Sequence, residues 1–321
     1  MNTVTFQLNW EPNGFQAPYF LARERGLYED EGLDVAFEEG HGSPFAAEQA
    51  ARGEGDFALA GASAVLSIQS SGLEPLAVAA VTAKTPAAIY TLRDVFGEPL
   101  ERPEQLAGRT VAPSATKTRI LTAQLLEDVG IADEVDLLEV DPHTHHRVQH
   151  QVRDGSVDAA VGVVTNGLEL EHEHDRIADE LPIGDHLHVY GMTLVTNPEF
   201  AADDPETVRS FLRATARGWA EATADPAAAV DALISRNATL ERRREIEQQK
   251  FETAARDLQF SPHVETAGWG NHDGNRWRRL GETLSETGLL DGTINPDAAW
   301  TNDYLDPDAP IVREYADHAS L

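Results

Sequence analysis

Short apolar runs alternate with helix-forming runs, and the links between them leave room only for packed neighbours. Val4, Phe6 and Leu8 alternate with polar residues, so the chain opens as a half-buried strand that stops where Asn9 and Trp10 appear. Pro12, Asn13 and Gly14 break that strand, and residues 18–25 read as a helix with Pro18 in its first turn and Gly26 at its close. The unit recurs. Leu33-Asp34-Val35-Ala36-Phe37 precedes a helix opened by Gly40-His41-Gly42-Ser43-Pro44, and Asp56-Phe57-Ala58-Leu59-Ala60 precedes another. This rhythm predicts an α/β fold whose mostly parallel sheets are covered by helices on both faces.

Residues 82–92 read as a strand leaving the first domain, after which a second strand–helix set begins at Arg109-Thr110-Val111-Ala112. Val157-Asp158-Ala159-Ala160-Val161-Gly162 is its buried strand, and residues 187–195, with Tyr190 and Gly191, carry the chain back. Two crossings predict a two-lobed body with a cleft. The lobes expected are residues 1–91 plus 189–321, and residues 92–188. From Asn197 onward the pattern is helical: 205–224, with Val208, Phe211, Leu212, Ala216 and Trp219 on one face, then 226–234, 239–258 and 273–288. Those apolar spacings are core positions.

Ligands of open α/β sheets sit beyond the carboxyl ends of the strands. That rule selects Asn9, Trp10, Gln16 and Tyr19 after the first strand, His41 and Ser43 after the second, and Gly61 and Ser63 after the third. In the second domain it selects Ser114, Lys117, Asn166 and Glu169, with Tyr190 on the return. Flat aromatics beside an amide and a carboxylate suit a planar, neutral or protonatable heterocycle better than a strong anion. Serines at helix starts serve equally as caps or as anion donors.

The net charge of -30 is spread along all 321 residues, and Lys84, Lys117 and Lys250 are the only lysines among 25 basic residues. Dispersed acids of this kind read as a high-salt surface and exclude nucleic acid and anionic membranes as partners. No cysteine is present, so disulfides, thiolate metal sites and cysteine nucleophiles are excluded. No G-x-S-x-G elbow, P-loop or G-x-G-x-x-G occurs, which argues for a binding role over catalysis, and neither cofactor nor metal is expected. His146 and His150 are spaced to share a helix face beside His143 and His145, which suits a metal pair or an exposed face; no H-E-x-x-H accompanies them. No apolar run reaches the roughly 18 residues of a bilayer span, and no signal-peptide pattern opens the chain. A cytoplasmic location is expected if Met1 is the native start, and a cell-surface one if a leader or lipid anchor has been removed.

Leu8-Asn9-Trp10-Glu11-Pro12-Asn13 with Ala17-Pro18-Tyr19, Ala22-Arg23-Glu24-Arg25-Gly26-Leu27-Tyr28 and Glu31-Gly32-Leu33-Asp34-Val35 resembles the opening signature of the NMT1/THI5-like family. Gly55-Asp56-Phe57, Gly155-Ser156-Val157-Asp158-Ala159, Asn197-Pro198-Glu199-Phe200 and Thr301-Asn302-Asp303-Tyr304-Leu305 extend the resemblance over nearly the whole chain. It implies a type II periplasmic-binding fold that delivers a thiamin-precursor aminopyrimidine to an ABC permease. Asn9 and Trp10 would hydrogen-bond and stack on the pyrimidine, Tyr190 would close the sandwich, and Asn166 would lie in a loop of polar contacts. In pyrimidine binders that loop reads as an aromatic followed by a glutamate, whereas here it is Val164-Thr165-Asn166-Gly167-Leu168-Glu169. A sulfonate, taurine or nitrate branch of related binders is the alternative, with Ser114, Thr116 and Lys117 as anion ligands. The pyrimidine synthases of the family are similar too, but their lysine and histidine fall at Ala60 and Ala64, and their cysteine motif has no counterpart at residues 187–192.

Overall fold

The computed structural model describes residues 1–140, 148–259, 262–286, 290 and 292–306. Its strands, in chain order, are β1 (Asn2–Gln7), β2 (Leu33–Glu38), β3 (Phe57–Gly61), β4 (Leu76–Ala80), β5 (Ala87–Leu92), β6 (Thr110–Pro113), β7 (Asp136–Leu137), β8 (Ala159–Val163), β9 (Ala178–Pro182) and β10 (Met192–Thr196). They form two five-stranded sheets, ordered β2-β1-β3-β10-β4 and β7-β6-β8-β5-β9. Each sheet is parallel except for the strand that follows a crossing. β10 runs antiparallel to β3 and β4, and β5 runs antiparallel to β8 and β9.

The chain divides into two compact units, Met1–Lys84 with Val189–Leu321, and Thr85–His188. The first crossing therefore falls before β5. Residues 85–91 were expected in the first lobe, but β5 hydrogen-bonds to β8 and β9 and belongs to the second sheet. Apolar periodicity identifies a strand without naming the sheet that takes it.

In the first unit, Val4 and Phe6 of β1 and all of β3 are buried. The helix Pro205–Ala224, capped by the Asp204 carboxylate on the Thr207 N–H at 3.2 Å, lays Phe211 over that sheet. Phe211 stacks on Phe57 at 3.9 Å between centroids and meets Phe6 edge-on at 5.2 Å. Residues 239–258, expected as one helix, form a 3-10 turn (Ala238–Arg243), an α-helix (Arg244–Thr253) and a π-turn (Ala254–Leu258). The Gln259 N–H reaches back five residues to the Ala254 carbonyl at 3.1 Å, and the Leu258 carbonyl at the end of the turn accepts the Lys84 N–H at 2.9 Å.

His272 is buried in this unit, its Nδ1 accepting the Trp277 indole N–H at 3.1 Å and its backbone tied to Asn302. Burial pulls its pKa down to about 3 from 6.5. Between those values the unfolded chain binds a proton that the folded chain refuses. The stabilisation from the neutral ring is therefore complete above pH 6.5 and is lost as pH falls toward 3, by about 5 kcal/mol at the limit. The urea midpoint of the wild type is expected to fall more steeply between pH 6.5 and 4 than that of His272→Gln. Equal slopes would contradict this reading.

In the second unit Tyr90, Leu92, Ala112, Val148, Val152, Val157, Ala160 and Leu170 form the core. At the edge of its sheet β7 is only two residues long, Asp136 and Leu137, which pair with Thr110 and Val111.

Candidate functional site

The end of β1 is built by hydrogen bonds that begin far away in sequence. Glu247, 1% exposed in the helix Arg244–Thr253, accepts the Gly14 N–H at 2.7 Å and lies 3.3 Å from the Lys250 ammonium. This fixes the turn Gly14–Gln16, which Asn13 caps by accepting the Phe15 N–H at 3.0 Å. Gln16, 2% exposed, accepts the Asn13 N–H at 3.0 Å and donates to the Asn9 Oδ1 at 2.9 Å. With its carbonyl engaged, Asn9 is left to offer its amide N–H groups. The loop after β2 is tied to the same place, since Gly42 donates to the Asn9 carbonyl at 2.7 Å and Gly40 to that of Trp10 at 3.4 Å. Gly40 runs so close to Leu8 that an added Cβ would land on the Leu8 carbonyl oxygen.

Asn9, Trp10, Gln16 and the loop bearing His41 and Ser43 therefore come together. Asn9 and Trp10 are half-buried, His41 is exposed with its ring 5.3 Å from Phe45, and Ser43 begins the helix Ser43–Ala51. Gly61 ends β3 opposite Met192, and the Ala62 N–H donates to the Gly191 carbonyl at 2.8 Å. Ser63 is buried in the first turn after Gly61, and its hydroxyl makes no hydrogen bond among the described residues.

Two expected wall residues serve the core instead. Tyr19 is fully buried in the first turn of the helix Ala17–Glu24, whose residues 17–22 all face the core, and lies edge-on to Phe6 at 5.1 Å and to Trp219 at 6.0 Å. Burial raises its pKa above that of a free phenol. Tyr190, 2% exposed, accepts the Asp273 N–H at 2.6 Å and carries the Arg276 guanidinium 5.4 Å from its ring centroid. Burial pushes its pKa up to about 12. Packing by a C-terminal segment claims both its hydroxyl and its face.

In the second unit, Ser114 follows β6 and donates its N–H to the Val161 carbonyl at 2.9 Å. Lys117, in the first turn of the helix Thr116–Asp128, is half-buried, and burial lowers its pKa to about 8. No hydrogen bond or ion pair engages its ammonium among the described residues. After β8, the Asn166 Oδ1 accepts the Val163 N–H at 2.9 Å and its amide donates to the Glu169 carboxylate at 3.1 Å. Glu180 of β9 accepts the Thr165 N–H at 2.9 Å and the Gly167 N–H at 2.6 Å. Burial raises the Glu180 pKa against the pull of those two donors, and Glu169 adds to the rise.

Among the described residues no three His, Asp or Glu side chains are grouped to hold a metal ion. His143, His145 and His146 lie outside the described residues, and His150 is exposed on the helix Val148–Asp154. No described helix is long and apolar enough to cross a membrane. Glu247 and Glu180 were not anticipated. Glu247 lies 233 residues from its partner Gly14, and nothing local marks either carboxylate as more than a surface acid.

The NMT1/THI5-like family profile matches residues 13–229. The chain belongs to the NMT1/THI5-like family. Within reach of this family, the chain is 25% identical over 317 residues to the riboflavin-binding protein RibY of Chloroflexus aurantiacus, covering 95% of this chain and 86% of that one. It is 26% identical over 236 residues to the 4-amino-5-hydroxymethyl-2-methylpyrimidine phosphate synthase THI13 of Saccharomyces cerevisiae, 70% of this chain and 68% of that one. It is 25% identical over 242 residues to the formylaminopyrimidine-binding protein of Halalkalibacterium halodurans, 73% of this chain and 71% of that one. Among solved structures, the periplasmic aliphatic sulphonate-binding protein SsuA of Escherichia coli superposes with a TM-score of 0.72 at 13% identity, over 95% of this chain and 99% of that one. The family member described here thus has the fold of ABC-type solute-binding proteins.

Proposed function

We propose that the chain captures a small planar nitrogen heterocycle, foremost a thiamin-precursor aminopyrimidine such as hydroxymethylpyrimidine or formylaminopyrimidine, and passes it to an ABC permease. The observation that carries this reading is the Gln16–Asn9 hydrogen bond, which engages the Asn9 carbonyl and leaves its amide N–H groups to donate, with Trp10 next in the chain. A ring nitrogen accepts from such an amide, and a flat ring stacks on an indole. The formylaminopyrimidine-binding relative supports the choice of ligand. Binding is preferred to synthesis because Ala60 and Ala64 stand where the synthases carry lysine and histidine, and no cysteine is present. A second reading, a flavin, is favoured by the coverage of RibY along 95% of this chain.

A thermal-shift panel separates these readings. Saturating the protein with its ligand at about 100 times Kd contributes about 2.7 kcal/mol, a rise of roughly 4 °C for a chain of this size. Hydroxymethylpyrimidine or formylaminopyrimidine is expected to produce it; a rise with riboflavin alone moves the assignment to the flavin, and no rise with any heterocycle removes the proposal.

A further inference from the structure

The turn after β8 holds Thr165 at φ 83°, in the left-handed region that a β-branched residue occupies only under strain. Glu180 spans this turn, taking the N–H on the strained residue and the N–H two positions on. Gly167 has room only for hydrogen, since a Cβ there would come 2.8 Å from the Glu180 Cγ. Thr165 and Gly167 open the helix Asn166–His174, whose first-turn N–H groups are the place where a helix of this kind meets an anion. That seat is filled from within. Close by, the Tyr90 hydroxyl and the Thr165 Oγ1, both at least nine-tenths buried, have no hydrogen-bond partner. Tyr90 pairs with Glu180 across β5 and β9 and lies in the field of both Glu169 and Glu180. The helix start therefore holds the Glu180 carboxylate on the Thr165 and Gly167 N–H groups, with the Glu169 carboxylate, which takes the Asn166 amide, beside it.

We propose that Glu180 is a specificity-determining residue: its carboxyl group occupies the anion seat of the helix Asn166–His174 and restricts the protein to heterocycles without phosphate or sulfonate. This rests on the heterocycle-binding reading for the identity of the ligand, though not for the occupancy of the seat. An exocyclic amine or a protonated ring N–H finds an acceptor here in Glu169, whereas an oxyanion meets two carboxylates of like charge. The SsuA likeness extends to the fold alone.

The test compares the wild type with Glu180→Ala and Glu180→Gln at matched ionic strength, with sodium formate, ethanesulfonate or chloride. Formate is expected to raise the melting temperature of Glu180→Ala by about 3 °C beyond the chloride control, as a small anion returns to the two N–H groups. The wild type and the isosteric Glu180→Gln are expected to show no such rise. A wild-type rise with ethanesulfonate equal to that of Glu180→Ala, through Lys117 or any other group, would overturn the proposal, as would a folded Glu180→Ala indifferent to formate. Should Glu180→Ala not fold, wild-type titration decides. Hydroxymethylpyrimidine is expected to bind at least about tenfold more tightly than its phosphate, and riboflavin more tightly than its 5′-phosphate, while equal or reversed affinities refute the role of Glu180. If neither pyrimidine nor flavin binds, the ligand assignment fails, and the formate response still decides what Glu180 does.

Discussion

Replacing Trp10 by alanine is expected to weaken ligand binding about 10- to 100-fold, because stacking a heterocycle on an aromatic ring is worth about 1–3 kcal/mol by alanine substitution. The free protein should lose little. Trp10 is half-buried at a strand end, and its backbone carbonyl, which a side-chain change leaves in place, is what receives Gly40. A cost of about 1 kcal/mol is the expectation for truncation at such a position. Calorimetric titration with the heterocycle that passes the thermal-shift panel, beside urea unfolding of both proteins, measures the two effects separately. Unchanged affinity in Trp10→Ala would take the indole out of the site. Equal losses of affinity and stability would make it a packing residue.

The second large effect is expected from Gly40→Ala. The loop after β2 crosses the end of β1 with backbone on backbone, and a methyl group at Gly40 falls on the Leu8 carbonyl and close to the Asn9 carbonyl carbon. Neither neighbour is a side chain that can swing away. The loop or the strand end must move, at a cost of about 3 kcal/mol and a fall of roughly 4 °C in melting temperature. Ligand affinity should fall as well, since Gly40 and Gly42 are hydrogen-bonded to Trp10 and Asn9. Gly53→Ala serves as the control for glycine replacement, because a Cβ there meets nothing within 4 Å, although its φ of 68° carries a strain penalty. A Gly40→Ala protein no less stable than Gly53→Ala would contradict the close approach.

The opening stretch shows why part of the candidate site's neighbourhood was legible. Asn9 and Trp10 stand where an alternating run ends and a Pro-Asn-Gly break begins, and a strand end is a local event written in adjacent residues. Gln16 was placed with them for its position in the same loop, and it supplies the hydrogen bond that orients Asn9. Tyr19 was misplaced on the same evidence. Loop membership predicts neighbourhood, while the direction of a side chain depends on the helical phase and on the rings of Phe6 and Trp219 that wait for it. Tyr190 failed for a related reason, since the segment that covers it, Asp273 and Arg276, comes from the far end of the chain.

The sequence by itself determined the strand–helix alternation, the two crossings, the helical C-terminal third and the family, because each is carried by periodicity or by contiguous motifs. Tertiary structure alone decided that β5 joins the second sheet, that Glu247 holds the Gly14 turn, and that Glu180 fills the helix start after β8. Those outcomes depend on pairing between residues distant in the chain. A carboxylate that ends in a buried hydrogen-bond network and one that ends in water are spelled alike, and only the partner brought to it by the fold makes them different.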